Sequence, residues 1–221
     1  MKILVIDVGG THVKLLASGK RTPVKLDSGP TLTPRAMVAG VLAATADWDY
    51  DVITIGYPGP VEDNKPIGDP VNLGKGWTRF DFKKAFKVPV RIINDAAMQA
   101  LGSYDGGRML FLGLGTGLGA ALVRDGVIIP LEIAHLPYHE DKSYEHYLGN
   151  AGMKRLGHKK WERHVSNVVP MLLAALTSDY CVLGGGNARL LKNLPKNARL
   201  GSNLNAFTGG YRVWKQQPKK R

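Results

Sequence analysis

Five groups of residues in this sequence have the types and spacing to do chemistry. In the first, Asp7-Val8-Gly9-Gly10-Thr11 is followed by Lys14. A carboxylate ahead of two glycines, where the chain bends, exposes backbone N–H groups with no Cβ in the way, a nest for phosphate oxygens. The Asp7 carboxylate could hold Mg²⁺, directly or through water, because Mg²⁺ takes one or two carboxylates together with phosphate oxygens. An ordinary β-turn is the competing reading.

The second group is Gly113-Leu114-Gly115-Thr116-Gly117-Leu118-Gly119. Gly115, Gly117 and Ala120 have the spacing of a dinucleotide fingerprint, which needs a helix directly after the glycines. Here residues 120–123 run straight into Arg124-Asp125-Gly126, the pattern of a hairpin, so the turn is read as a second phosphate nest facing the first. The third is Asn94-Asp95. A carboxylate that accepts a hydroxyl proton orients the nucleophile in phosphoryl transfer to an alcohol, and such base assistance is worth ~10²–10⁴ in rate. Helix capping by Asp95 is equally compatible with the local sequence. The fourth is Glu132, His135 and Glu145. The order of a helical zinc motif is absent and no third strong metal ligand stands nearby, so hydrogen bonding to sugar hydroxyls is the better use. A surface glutamate and a structural histidine are the alternative. The fifth is Gly184-Gly185-Gly186-Asn187, where a flat ring or a run of phosphates could approach a helix N-terminus, or where helix simply packs closely on strand.

Short elements must position these groups. Residues 2–8 read as a buried strand, 13–17 as its hairpin partner and 24–26 as a third strand. Thr33-Pro34 opens a helix with apolar residues at helical spacing to position 45, and residues 52–55 form another strand. From Arg91 the plan repeats. A strand ends at Asn94, a helix covers 96–104, and strands at 109–114, 120–123 and 127–129 flank a glycine turn and an Asp-Gly turn. Helices follow around 144–156 and 161–176, then a strand at 180–183 and a helix opened by the triple glycine. Residues 216–221 read as a frayed tail. Two copies of one plan predict two similar lobes, 1–94 and 95–221, with a cleft between them.

Charge narrows the partners. The chain of 221 residues has a net charge of +12. Residues 1–150 hold 16 basic and 16 acidic side chains, whereas 151–221 hold 14 basic ones against Glu162 and Asp179. An excess on one segment points to a particular polyanion rather than to general solubility, although a solvated basic face would look the same. The single cysteine, Cys181, makes no internal disulfide and no thiolate cluster. No apolar run is long enough to span a bilayer, and Asp7 interrupts the N-terminal one, so a cytoplasmic protein without a signal peptide is expected.

Taken in order, Asp7-x-Gly9-Gly10-Thr11-x-x-Lys14, Asn94-Asp95-Ala96-Ala97, the Gly115 to Gly119 turn, Glu132-x-x-His135 and Leu183-Gly184-Gly185-Gly186 resemble the ROK family of sugar kinases, in the actin-like ATPase superfamily. The resemblance covers residues 2–191. Tyr144-Glu145-His146-Tyr147, Lys154-Arg155-Leu156-Gly157 and Trp161-Glu162-Arg163 are most similar to the polyphosphate glucokinase branch. The resemblance implies an α/β, two-lobed actin-like ATPase fold, a duplicated ribonuclease H-like unit with a central cleft. It implies that Asp95 is the catalytic base for the sugar 6-hydroxyl, with Asn94, Glu132, His135 and Glu145 on the other hydroxyls and Gly59 lining the pocket. Asp7, Gly9, Gly10, Thr11 and Lys14 would position the transferred phosphoryl group and Mg²⁺. Gly115, Thr116, Gly117, Gly185 and Gly186 would cradle the donor. Many family members carry a run of zinc-binding cysteines after the His135 position; this chain has none there, which predicts no zinc. Ala134 stands where a glycine commonly precedes that histidine.

The expected function is therefore transfer of phosphate from polyphosphate, or also ATP, to the 6-hydroxyl of glucose. The basic run Lys154, Arg155, Lys159, Lys160 and Arg163 is read as the polyphosphate track, continued by Arg189, Lys192, Lys196 and Arg199. The alternatives are an ATP-dependent ROK kinase for another hexose or N-acetylhexosamine, and a noncatalytic sugar binder with the same fold. The kinase-like sequence begins at residue 2 with no helix-turn-helix ahead of it, and the basic residues lack an aromatic platform, which argues against a nucleic-acid ligand. A homodimer is left open.

Overall fold

The computed structural model describes residues 1–202 and 204–215; the tail at 216–221 lies outside the described residues. The chain divides into two units, Met1–Met98 with the described residues from Ala206 onward, and Gln99–Asn205. The first unit thus extends four residues past the expected boundary and also takes in the C-terminal segment.

In the first unit, β1 (Ile3–Val8), β2 (His12–Ala17) and β3 (Val24–Asp27) form an antiparallel meander. Helix α1 (Pro34–Ala44) starts where the sequence placed it, with the Thr33 hydroxyl accepting from the Ala36 N–H at 3.2 Å. Then follow β4 (Val52–Tyr57), the small hairpin β5 (Val61–Glu62) and β6 (Lys65–Pro66), α2 (Phe82–Phe86), β7 (Val90–Asn94) and α3 (Asp95–Ser103), within which the unit boundary falls. The sheet order is β3-β2-β1-β4-β7, with β1, β4 and β7 parallel.

Strand β1 is buried on both faces, as an uninterrupted apolar run requires. Leu4, Ile6 and Val8 pack with α1 through Met37, Val38 and Val41, and with Trp77. Ile3 and Val5 face the other way, toward Met98, Ala206 and Phe207. By the two-residue alternation of a strand, Asp7 belongs to the Ile3 and Val5 face.

The second unit repeats this plan. Strands β8 (Arg108–Leu114), β9 (Leu118–Arg124) and β10 (Val127–Leu131) form the meander. A 3₁₀ turn at Ile133–His135, the hairpin β11 (Pro137–His139) and β12 (Lys142–Ser143), and helices α4 (Tyr144–Leu148), α5 (Asn150–Leu156) and α6 (His158–Ala175) precede β13 (Tyr180–Gly184) and β14 (Ala198–Leu200). The order β10-β9-β8-β13-β14 matches the first sheet strand for strand, with β8, β13 and β14 parallel. Leu110, Leu112 and Leu114 bury their side chains with Trp161, Val165, Val168 and Leu172 of α6.

Two features differ from the sequence reading. The triple glycine opens no α-helix, only a 3₁₀ turn at Ala188–Leu190. The chain is drawn out of helix there because Glu162 Oε1 accepts the N–H groups of Lys192 and Asn193 at 2.7 and 2.8 Å, and Pro195 disfavours helix at the residue before it. The lean C-terminal segment, in contrast, forms α7 (Asn205–Val213), the element that supplies Ala206 and Phe207 to the first core. Among the described residues no helix is long and apolar enough to cross a membrane.

Candidate functional site

The three parallel strands of the first unit end together, and the candidate residues follow their C-terminal ends, where ligands bind in open α/β sheets. Asp7 stands opposite Lys14 on one side and Gly56 on the other, and Tyr57 stands opposite Asn94. Cross-strand partners share a face, and Lys14 Nζ lies 3.2 Å from Asp7 Oδ2, with Asp7 only 7% exposed. The turn after β1 closes through Gly9 N–H donating to His12 C=O at 3.0 Å, and its carbonyl accepts the Ser28 hydroxyl at 2.7 Å. Among the described residues no acceptor takes the N–H of Gly10 or Thr11, both exposed, as a phosphate nest requires.

The start of α3 separates the roles of Asn94 and Asp95. Asn94 is the cap: its Oδ1 accepts from Ala97 N–H at 3.0 Å, and its Nδ2 donates to Gly59 C=O at 3.1 Å. Asn94 thereby ties the helix to the tight turn in which Gly59 N–H donates to Tyr57 C=O. Asp95 occupies the first helical position, where Oδ1 accepts from Ala96 N–H at 2.8 Å.

In the second unit the ends of β8 and β13 lie side by side, Gly113 opposite Gly184. The turn between β8 and β9 closes through Gly115 N–H to Gly117 C=O at 3.1 Å. Asn150 N–H donates to the carbonyls of Gly115 and Thr116, and Asn187 N–H to that of Leu114. The two readings of the glycine run divide residue by residue. Gly185 has φ +81°, and a Cβ there would lie 2.6 Å from the Leu114 carbonyl carbon, so close packing requires glycine. Around Gly186 the same position is open.

Glu132 and His135 are exposed on either side of Ile133 and Ala134, whose side chains enter the core. A 3₁₀ turn has three residues per turn, which brings positions three apart to one side. The Ala134 methyl is thus a packing group. This turn packs against α4, which carries Glu145. Glu145 is half-buried, and its Oε2 accepts from Leu118 N–H at 3.1 Å. It lines a recess of about 290 Å³ together with Thr116, Ser143, His146, Gly149 and Arg155. The sequence offers no local sign that Ser143 lines this recess, and it presents His146 only within the Tyr144 to Tyr147 motif, because a hairpin without strong strand signal carries one to the recess and a five-residue helix the other. Partial desolvation, then Arg155 and Lys142, hold the His146 imidazole below its ordinary range.

Arg155 donates to His146 C=O at 2.7 Å, which fixes the guanidinium at the edge of that recess. Lys154 on α5 and Lys159, Lys160 and Arg163 on α6 are exposed like Arg155, and among the described residues none of the five pairs with a carboxylate. Also among the described residues, no three His, Cys, Asp or Glu side chains gather to hold a metal ion. Asp7 is a buried carboxylate, paired with Lys14, beside the exposed N–H groups of Gly10 and Thr11, a setting that would suit Mg²⁺ held mainly by phosphate oxygens.

A match to the ROK family model covers residues 3–130, more than half the chain. The chain belongs to the ROK family. It is 25% identical over 205 residues to the polyphosphate glucokinase of Mycobacterium tuberculosis (strain CDC 1551 / Oshkosh), a match covering 83% of this chain and 77% of that protein. It is 28% identical over 134 residues to a glucokinase of Pyrobaculum calidifontis, covering 58% of this chain and 45%, less than half, of that protein. Among solved structures, the inorganic polyphosphate/ATP-glucomannokinase of Arthrobacter sp. strain KM superposes with a TM-score of 0.79 at 21% identity, covering 98% of this chain and 99% of that one. A ROK family glucokinase of Streptomyces griseus, solved with glucose and AMPPNP, gives 0.74 at 15% identity, covering 96% and 99%. These structures share the actin-like ATPase fold, and the duplicated sheet order of this ROK member is that fold.

Proposed function

We propose that this ROK family member is a glucokinase that transfers the terminal phosphoryl group of polyphosphate, and also that of ATP, to the 6-hydroxyl of glucose. The observation that carries the donor assignment is the row of exposed cations on α5 and α6, none of which pairs with a carboxylate among the described residues. ATP needs a pocket, whereas a long polyanion needs an extended basic track, and binding to such a track weakens as salt rises. The polyphosphate glucokinases among the relatives support the same reading.

Asp95 accepts the proton of the 6-hydroxyl as its oxygen attacks the terminal phosphorus, and the bond from that phosphorus to the bridging oxygen of the donor breaks. Asn94, Glu132, His135 and Glu145 hold the remaining hydroxyls, and the turn at Gly59 lines the sugar site. The exposed N–H groups of Gly10 and Thr11, with Gly9 and Lys14, orient the transferred group. Thr116 and Gly117, next to Gly115, cradle the donor, and the open side of Gly186 leaves it room. Asp7 would hold Mg²⁺, which supplies neutralisation of donor charge when bound. Such positioning and charge stabilisation account for most of catalysis in phosphoryl transfer.

Incubation of the protein with glucose, polyphosphate and Mg²⁺, with product detected by glucose-6-phosphate dehydrogenase, tests this reading. NADPH formation is the expected result. No product from glucose, alongside phosphorylation of another hexose in the same panel, would overturn the substrate assignment.

A further inference from the structure

The Glu145 carboxylate fills the space that a side chain on Gly117 would need. A Cβ on Gly117 would lie 3.2 Å from Glu145 Cδ and within the contact radius of Oε2, the oxygen that accepts the Leu118 N–H. The other end of α4 holds the same turn. Gly149 follows the helix, a Cβ there would lie 3.2 Å from Thr116 C=O, and the next N–H, of Asn150, donates to Gly115 and Thr116. Glu145 on α4 and Asn150, the first residue of α5, thus hold the turn at 115–118 between an acceptor for its N–H side and a donor to its C=O side. Oε1 of Glu145 makes no hydrogen bond among the described residues, and Glu145 lines the recess with Thr116.

We infer that Glu145 couples sugar binding to the conformation of the donor turn, and that Gly117 is a positioning residue for the sugar as well as part of the donor cradle. The inference rests on the sugar-kinase reading above. With Oε2 anchored on Leu118 N–H, the carboxylate plane is set, and Oε1 is presented to a sugar hydroxyl in one orientation. A sugar hydroxyl on Oε1 in turn restrains the carboxylate and, through Leu118, the turn that receives the donor. The coupling is reciprocal: sugar tightens donor by the factor by which donor tightens sugar, within the usual range of about 5–150-fold.

Gly117→Ala isolates this link. The group in the way is the far end of a flexible side chain, so the variant folds and the carboxylate is displaced. Glucose affinity, measured by isothermal titration calorimetry without any donor, should fall about tenfold in Gly117→Ala, a size typical of such coupling. A Gly117 that served the donor alone would leave this affinity unchanged, and that result would overturn the inference. A double-mutant cycle guards against a folding artefact. Once Glu145→Ala has removed the obstructing group, Gly117→Ala should cause no further loss of glucose affinity. Additive losses would contradict the coupling even if Gly117→Ala alone proved unstable. Wild-type protein that takes up no glucose, yet melts cooperatively, would instead sink the glucose assignment on which the inference rests.

Discussion

At the junction of β7 and α3, Asn94 caps the helix and Asp95 stands one residue inside it. The cap therefore survives loss of the Asp95 charge. Asp95→Asn should leave the circular dichroism spectrum and melting temperature close to wild type while lowering kcat by at least ~10², the contribution of a general base. Turnover near wild type would remove Asp95 from the mechanism. The glycine run offers a second contrast between neighbours. Gly185 sits at φ +81° against the Leu114 backbone, whereas Gly186 has open space at its Cβ position. Gly185→Ala should cost at least ~1–3 kcal/mol of stability, from the left-handed backbone alone. Gly186→Ala should melt within a few degrees of wild type and act on donor KM; equal destabilisation of the two would contradict the assignment. Sequence could show that these residues mattered but not how the work divides, because the placement of Asn94 and the packing of Gly185 depend on groups far along the chain, Gly59 and Leu114.

Among the elements, α6 carries Lys159, Lys160 and Arg163 on exposed positions, while its one acidic residue, Glu162, turns to the N–H groups of Lys192 and Asn193. Neutralising the three cations together should raise the KM for polyphosphate and flatten its salt dependence, leaving the KM for ATP within about twofold, because only the long polyanion needs the track. Unchanged kinetics with both donors would make these residues ordinary surface. The hairpin of β11 and β12 stands between the proposed sugar ligands His135 and Glu145, and it is pinned by side chains rather than by length. Tyr138 O–H lies 3.1 Å from His164 Nδ1 and stacks on Tyr144, and Tyr147 packs on His164. Burial, then His139 and Arg163, hold His164 below the ordinary imidazole range, with Glu140 opposing them. The unfolded chain then takes the proton first as pH falls. The stability from neutral His164 is complete above the unfolded pKa of about 6.5 and is lost as pH falls from there through the lowered folded value. The urea midpoint of His164→Phe should accordingly drop less than that of wild type between about pH 8 and about pH 5. Equal drops would show that His164 does not titrate in this way.

Helix α7 shows why part of the architecture was illegible. Gly209 and Gly210 lie in its middle, and each glycine there disfavours helix by about 1 kcal/mol, so local propensity points away from the observed element. Tertiary contact explains the choice. A Cβ on Gly210 would lie 2.6 Å from Val5 Cγ2, and the Gly210 carbonyl accepts the buried Thr54 hydroxyl at 2.8 Å. Across the whole molecule the duplicated plan was legible, because both meanders announce themselves by apolar runs broken at Gly9-Gly10 and at Gly115 to Gly117. The return of the C-terminal segment to the first unit was not, since nothing local marks Ala206 and Phe207 as partners of Val5 and Leu16.

The asymmetry of charge is the remaining property of the whole chain, and the proposed use of polyphosphate depends on it. The most direct test is the ratio of kcat/KM for polyphosphate to that for ATP, with glucose as acceptor, at low and at raised ionic strength. The ratio should exceed one at low salt and fall steeply as salt rises, since a multiply contacted polyanion loses more than a triphosphate does. Equal or better use of ATP, with no detectable phosphorylation from polyphosphate at any salt concentration, would contradict it.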